Sequence, residues 1–231
     1  KNPLNFVNNF AEISIELAEE LADAIKNEEE AGDIIDDLKQ NARHITKHGR
    51  RAASIVNSMM QHASGSQGTR QKVEINDLIE EYINLAYHGM RARSANFNTS
   101  ITQEFDKEAG ELEMVPQEIG RVLINLFNNA FFAMQEKVEK GDTTYEPELT
   151  VKTVKLPQAV EIHVQDNGPG IPKRIRERVF EPFFTTKAAG SGTGLGLSLS
   201  FDIITQGHNG LLQVESTPGS GTTFKITLPS A

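Results

Sequence analysis

The 231-residue chain contains no cysteine, which excludes disulfides, thiolate catalysis and cysteine-ligated metals and fits a reducing compartment. It has no uninterrupted run of about eighteen apolar residues, so no membrane-spanning helix is expected. Positive charge is also scarce: 23 Lys and Arg stand against 32 Asp and Glu, a net charge of -9. Without a basic stripe to neutralise phosphates over a long footprint, nucleic acid is not an expected partner. The sequence starts at Lys1 with neither a methionine nor a signal-like segment, and it reads as part of a longer chain. The apolar fraction, 38%, is ordinary for a globular protein and sufficient for a packed core.

The residues that are present fall into two parts. Phe6, Phe10, Ile13, Leu17, Leu21 and Ala24 recur every three or four positions, which predicts an amphipathic helix from Lys1 to about Asn27. After a polar break at Asn27 to Gly32, Leu38, Ile45, Ala52 and Met59 repeat every seven residues, beside a second seam of Ile35, Ala42, Gly49 and Val56. That period predicts a coiled-coil or four-helix-bundle helix. Two helices cannot cover both apolar faces, so the hairpin of residues 1–64 is expected to pair with a second copy as a homodimer. His44, His48 and His62 lie on the second helix, but no further ligand at matching spacing completes a metal site.

The small, polar stretch Ser64 to Arg70 marks a boundary. Residues 65–71 are the expected linker and residues 72–231 the second domain. There the pattern predicts a strand at Lys72 to Ile75, a helix from about Asp77 to Arg93 capped by Asn76, and a strand from Phe97 to Phe105. Pro116 opens a helix with Ile119, Val122, Leu123, Leu126, Phe127 and Ala130 inward. Two hairpins follow, Glu148 to Lys155 with Ala159 to Asp166, and Leu211 to Ser216 with Thr222 to Leu228. Strands and helices do not alternate as regular βαβ units, so the expected fold class is α+β, with helices on one face of a mixed, mostly antiparallel sheet.

Four stretches carry candidate chemistry. In Gly190-Ser191-Gly192-Thr193-Gly194-Leu195-Gly196-Leu197, glycines on alternate residues let backbone N–H groups converge without side chains in the way, which suits a polyphosphate. In Asp166-Asn167-Gly168-Pro169-Gly170, a carboxylate at a strand end beside two glycines can accept hydrogen bonds from a flat base lying close to the backbone. Asn125 and Asn129 stand one turn apart on one helix face, where amide oxygens can ligate Mg²⁺. Phe180-Glu181-Pro182-Phe183-Phe184 is an aromatic cluster able to anchor a loop.

The order of these stretches, closed by Gly219-Ser220-Gly221-Thr222, resembles the ATP-binding catalytic domain of sensor histidine kinases, a member of the GHKL group with a Bergerat-type fold. Lys1-Asn2-Pro3-Leu4 resembles the tail of that family's His-Glu-Ile-Lys-Asn-Pro-Leu phosphoacceptor motif, whose histidine would stand three residues before Lys1. The hairpin then resembles the dimerisation and histidine-phosphotransfer domain. By this resemblance Asp166 takes the adenine amine, Asn129 with Asn125 nearby holds Mg²⁺, and Gly192, Gly194 and Gly196 face the phosphates of ATP. Gly168, Gly170, Phe180, Thr185, Thr186, Thr193, Leu195, Leu197 and Thr222 complete the implied nucleotide set. Asn125, Lys187 and Asn2 are the implied catalytic residues, with Lys187 on the terminal phosphate and Asn2 orienting water for dephosphorylation of a response regulator. Phe180 to Gly192 would form a mobile lid, and Phe132 stands where some members carry a basic phosphate contact.

The implied protein is a cytoplasmic histidine kinase core, dimeric, signalling to a response regulator receiver domain, with no membrane contact of its own. Two alternatives stay open at this stage. One is a dimeric scaffold that binds nucleotide without transferring phosphate. The other is an ATP hydrolase like gyrase, the mismatch-repair ATPases or the heat-shock chaperone ATPases, although those carry a water-activating glutamate where this chain has Asn125.

Overall fold

The computed structural model describes residues 3–26, 32–63, 68–94, 97–141, 144–187 and 193–230. These form two compact units, Lys1–Gly65 with Thr185–Thr193, and Ser66–Phe184 with Gly194–Ala231.

In the first unit, helices α1 (Pro3–Lys26) and α2 (Gly32–Ala63) pack along their lengths. The seven-residue seam explains which face is used: Leu38, Ile45 and Ala52 are half-buried, whereas Ile35 (40% exposed) and Val56 (52%) of the neighbouring seam face outward. Ile15 and Ile25 of α1 are also exposed. His44 and His48 of α2 have a packing role, since their rings stack on Phe10 and Phe6, each at 4.7 Å between centroids. Among the described residues, no group of three His, Cys, Asp or Glu side chains is placed to hold a metal, and no helix is long and apolar enough to cross a membrane.

The second unit is built on two sheets. β1 (Gln71–Glu74) pairs antiparallel with β3 (Glu111–Met114), flanking α3 (Ile75–Arg93) and β2 (Ser100–Glu104) in the chain. After α4 (Pro116–Glu139) come β4 (Glu148–Leu156), β5 (Ala159–Asp166), the short α5 (Lys173–Arg176), α6 (Gly196–Asp202), β6 (Leu211–Thr217) and β7 (Gly221–Pro229). The larger sheet has the order β2-β4-β5-β7-β6, with β2 and β4 parallel and the other neighbours antiparallel. This is the α+β arrangement expected from the strand and helix order. Period-two alternation in β5 buries Val160, Ile162 and Val164, and the 3.6 period of α4 buries Ile119, Leu123, Leu126 and Phe127 in the same core. Each such side chain contributes roughly 2 kcal/mol or more on burial.

Three expectations need correction. Asn76 does not cap α3: the helix starts two residues earlier than expected, at Ile75, after Glu74. Its amide instead donates to the Asp106 carbonyl (2.9 Å) and accepts from the Thr153 hydroxyl (2.9 Å), tying α3 to β4. The strand expected from Phe97 begins at Ser100, because Phe97 turns into the core against Phe131. The short strand β3 is an addition to the expected set, placed by its pairing with β1.

The helix begun by α6 loosens into a π-helical turn at Ile203–Gly207. Beyond it, His208 is buried, its Nε2 accepting the Val115 N–H (3.1 Å) and its Nδ1 lying 2.9 Å from the Ile203 carbonyl. With Nε2 acting as acceptor, the proton sits on Nδ1, and the neutral ring joins the start of α4 to this turn.

Candidate functional site

The β5 strand delivers Asp166 to its end, where the residue pairs in register with Leu149 on β4 and Thr222 on β7. The alternation that buries Val160, Ile162 and Val164 puts Asp166 on the same inward face, and it is only 4% exposed. Its Oδ1 accepts the Gly168 N–H at 2.8 Å. Burial pushes the carboxyl up from 3.8 to about 6, against the Gly168 and Thr222 N–H groups and the charge of Lys137, which pull it down. The carboxylate is therefore ionised at neutral pH, although burial opposes its charge.

Close approach is enforced by glycines. A side chain on Gly168 would meet Asp166 Oδ1 at 2.7 Å and Ala133 at 3.3 Å, so the space beside the carboxylate stays open only to backbone. Gly170 abuts the Thr217 carbonyl, and Gly219 N–H donates to the Pro169 carbonyl at 2.7 Å, which ties the loop after β5 to the turn between β6 and β7. Thr222 is buried, and its hydroxyl lies 3.0 Å from that of Ser216. The Ser216 hydroxyl oxygen in turn accepts the Ile171 N–H at 2.7 Å.

Asn125 and Asn129 lie one turn apart on α4, as their spacing requires. Asn125 Nδ2 donates to the Ser200 hydroxyl at 2.9 Å, and its Oδ1 fills the space where Gly196 would carry a side chain. Asn125 thus braces the start of α6 against α4. Replacing Asn125 by Ala is expected to lower stability by about 1–2 kcal/mol, read as a shift in urea midpoint at constant slope.

Gly194 adopts a left-handed φ of 71° and packs against the backbone of Phe183, which itself has φ 66°. A phenylalanine held in that region stores about 1–3 kcal/mol of strain, and here it sits where the aromatic segment meets the glycine loop. Phe183 is exposed, whereas Phe180 turns inward against Phe201 at 5.3 Å and Phe224 at 6.4 Å. Phe180 is accordingly an anchor for the segment. Leu195 is buried and Leu197 half-buried in α6. Thr185, Thr186, Lys187 and Thr193 group with the helical unit; within that segment the Lys187 N–H donates to the Thr185 hydroxyl at 3.2 Å. Asn2 and Gly192 lie outside the described residues.

Sequence reasoning passed over Lys137, Tyr145 and Asn167. The Asn167 side chain accepts from the Tyr145 hydroxyl (2.8 Å) and the Glu148 N–H (3.0 Å) and donates to the Glu146 carbonyl (2.8 Å). The position of Asn167 inside the Asp-x-Gly-x-Gly stretch was the one available signal for this network. A separate cavity of about 180 Å³ is lined by Arg70, Leu112, Met114, His208, Leu228 and their neighbours, and none of the candidate site residues borders it.

A family model described as Histidine kinase-, DNA gyrase B-, and HSP90-like ATPase matches residues 114–231. The chain is 32% identical over 201 residues to Sensor kinase CckA of Brucella abortus (strain 2308), covering 80% of this chain and 20% of that protein. It is 30% identical over 206 residues to Sensory histidine kinase/phosphatase NtrB of Rhizobium leguminosarum bv. phaseoli, covering 86% of this chain and 51% of that one. The chain thus spans between a fifth and about half of the length of these curated relatives. Among solved structures, the nucleotide-free catalytic domain of histidine kinase ThkA superposes with a TM-score of 0.57 at 30% identity, covering 70% of this chain and 95% of that domain.

Proposed function

The chain belongs to the histidine kinase-, DNA gyrase B- and HSP90-like ATPase family, as a sensor histidine kinase, and on that premise we propose that Asp166 recognises the adenine amine of ATP for phosphoryl transfer to histidine. The observation that carries this reading is a carboxylate, 4% exposed, beside a glycine that no other residue could replace without touching it. An ionised acceptor in such a slot suits the amino group of a flat base and repels the carbonyl of a guanine.

The rest of the site divides the work. Gly194 and Gly196, with Gly192, Thr193, Leu195 and Leu197, present backbone to the phosphates, and Thr185, Thr186 and Lys187 cover them, Lys187 toward the terminal phosphate. Gly168, Gly170 and Thr222 shape the base slot. Asn129 would hold Mg²⁺, which when bound neutralises phosphate charge and aligns the transferred group. Hydrolysis is the weaker reading, because the Asn125 amide, engaged with Ser200, offers no base to activate water.

In this proposal residues 1–64 are the dimerisation and phosphotransfer hairpin, residues 65–71 the linker and residues 72–231 the catalytic domain. The outward apolar residues Ile15, Ile25, Ile35 and Val56 support pairing with a second copy into a four-helix bundle. The acceptor histidine precedes Asn2-Pro3-Leu4 in the longer protein. Phosphate then passes to an aspartate of a response regulator in the cytoplasm, where ATP is available, and Asn2 assists the reverse, phosphatase reaction. His44 and His48 are occupied by stacking on Phe10 and Phe6 and do not act as acceptors.

The test is calorimetric titration with ATP and Mg²⁺ alongside incubation with γ-labelled ATP. The expected result is saturable ATP binding at one site per chain, with little or no labelling. Stoichiometric acid-labile label on His44, His48 or His62 would move the acceptor into α2, and absence of ATP binding would remove the reading altogether.

A further inference from the structure

Lys137 is half-buried near the end of α4 and reaches out of that helix to two loops at once. Its Nζ donates to the carbonyl of Asn167 (2.9 Å) and approaches those of Gly168 (3.5 Å) and Gly219 (3.3 Å). The ammonium also lies over the Tyr145 ring, 4.3 Å from its centroid. The Tyr145 hydroxyl completes the enclosure by donating to Asn167 Oδ1. A lysine that gathers backbone carbonyls from the loop after β5 and from the β6–β7 turn, under an aromatic ring, is a built feature. A solvated helix-end lysine would make none of these contacts.

We propose that Lys137 is a positioning residue of the nucleotide site: its ammonium group gathers the Asn167, Gly168 and Gly219 carbonyls and thereby sets the loop from which Asp166 and Gly168 meet the base. This rests on the reading of Asp166 as the base-binding carboxylate. Lys137 acts on Asp166 in two ways. Mechanically, Gly168 is the donor to Asp166 Oδ1, so holding the Gly168 peptide holds the carboxylate rotamer. Electrostatically, its charge opposes the effect of burial and favours the ionised carboxylate. The groups acting on Asp166 from the surrounding elements are Lys137 on α4, the Gly168 N–H in the loop and the Thr222 N–H on β7, with the Tyr145 phenol beyond Lys137. Asp166 and burial together push Tyr145 up to about 12, burial being the larger cause. The phenol therefore stays neutral, and Lys137 is the cation of the group.

The test is titration of the full chain with ATP, and separately with adenosine, across about pH 5 to 8, a range that brackets the Asp166 carboxyl. Lys137→Met keeps the stem against Tyr145 and removes the charge. It is expected to weaken both ligands about tenfold at neutral pH and to move upward the pH below which affinity falls, since the charge that favours the ionised Asp166 is gone. Lys137→Arg keeps the charge with different hydrogen-bond geometry; it is expected to bind a few-fold less tightly with the wild-type pH midpoint, and it carries the test if the methionine variant does not fold. An unchanged midpoint in Lys137→Met, or wild-type affinity in Lys137→Arg, overturns the proposal. So does a loss confined to ATP, which would make Lys137 a phosphate contact. Asp166→Asn separates the two levels: if it binds ATP normally, the base-binding reading itself fails; if it loses binding while Lys137→Met does not, the Lys137 proposal alone fails.

Discussion

Asp166→Asn is expected to lower ATP affinity about a hundredfold while leaving the unliganded chain more resistant to denaturant at neutral pH than the wild type. The loss arises because, with Oδ1 kept on the Gly168 N–H, the amide presents its N–H₂ group where a second acceptor is needed, leaving the adenine amine facing a donor. The gain arises from the same burial. Unfolded, the carboxyl titrates near 3.8; folded, near 6. Between those values the folded chain binds more protons than the unfolded chain, so the contribution of Asp166 to stability is full below about pH 4. It is then lost as pH rises through 6. A shift of about two units corresponds to about 3 kcal/mol. Urea unfolding at several pH values should therefore show the wild type losing about that amount relative to Asp166→Asn between acid and neutral pH. Parallel curves for the two proteins would mean that burial does not strain the carboxylate. ATP affinity of the wild type should fall in the opposite sense, as pH drops through about 6 and the carboxylate takes up a proton.

Gly221→Ala is expected to be the most damaging of the glycine substitutions near the site. Gly221 opens β7 with φ 120°, and a side chain there would collide with the carbonyl of Asp166 on the paired strand β5. Neither side can yield cheaply. The obstacle is backbone, held by the sheet ladder one residue from the Asp166–Thr222 pair, and the φ value is one that L side chains rarely adopt. The combined strain is about 3–5 kcal/mol, equivalent to a melting temperature lower by about 10 °C for a unit of this size. Gly219→Ala is the matched control: its φ is 86° but nothing lies within 4 Å, so only backbone strain of about 1–2 kcal/mol remains. Thermal melts of the two variants should separate clearly, and ATP binding should be lost in Gly221→Ala because the carboxylate is displaced with the strand end. Equal melting temperatures would show that the strand pair relaxes around the added methyl.

What was legible in the sequence was whatever has a period or a local signature. The seven-residue seams of α2, the alternation of β5, the Pro116 helix start and the glycine-bearing turns each report a backbone geometry through neighbouring residues. From these the two helices, the α+β class and the order of the candidate motifs could be read directly, and Asp166 could be singled out. The sequence also placed Asn125 and Asn129 on one face of α4, since 3.6 residues per turn allows nothing else.

That Asn125 is spent on bracing α6, however, depends on where Gly196 and Ser200 come to rest, 75 positions further along in the case of Ser200. The same limit applies to Asn76, spent on Asp106 and Thr153 in place of a helix cap, and to His208, whose partner Val115 is 93 residues away. It applies most to Lys137, which on α4 looks like any solvated helix-end lysine and becomes the junction of two loops only when β5 and β7 are paired. Periodicity is a property of the local backbone, so sequence determines it. A hydrogen bond between distant segments has no local signature, so only the tertiary structure decides which polar side chains of this chain hold the scaffold and which are left to meet a ligand.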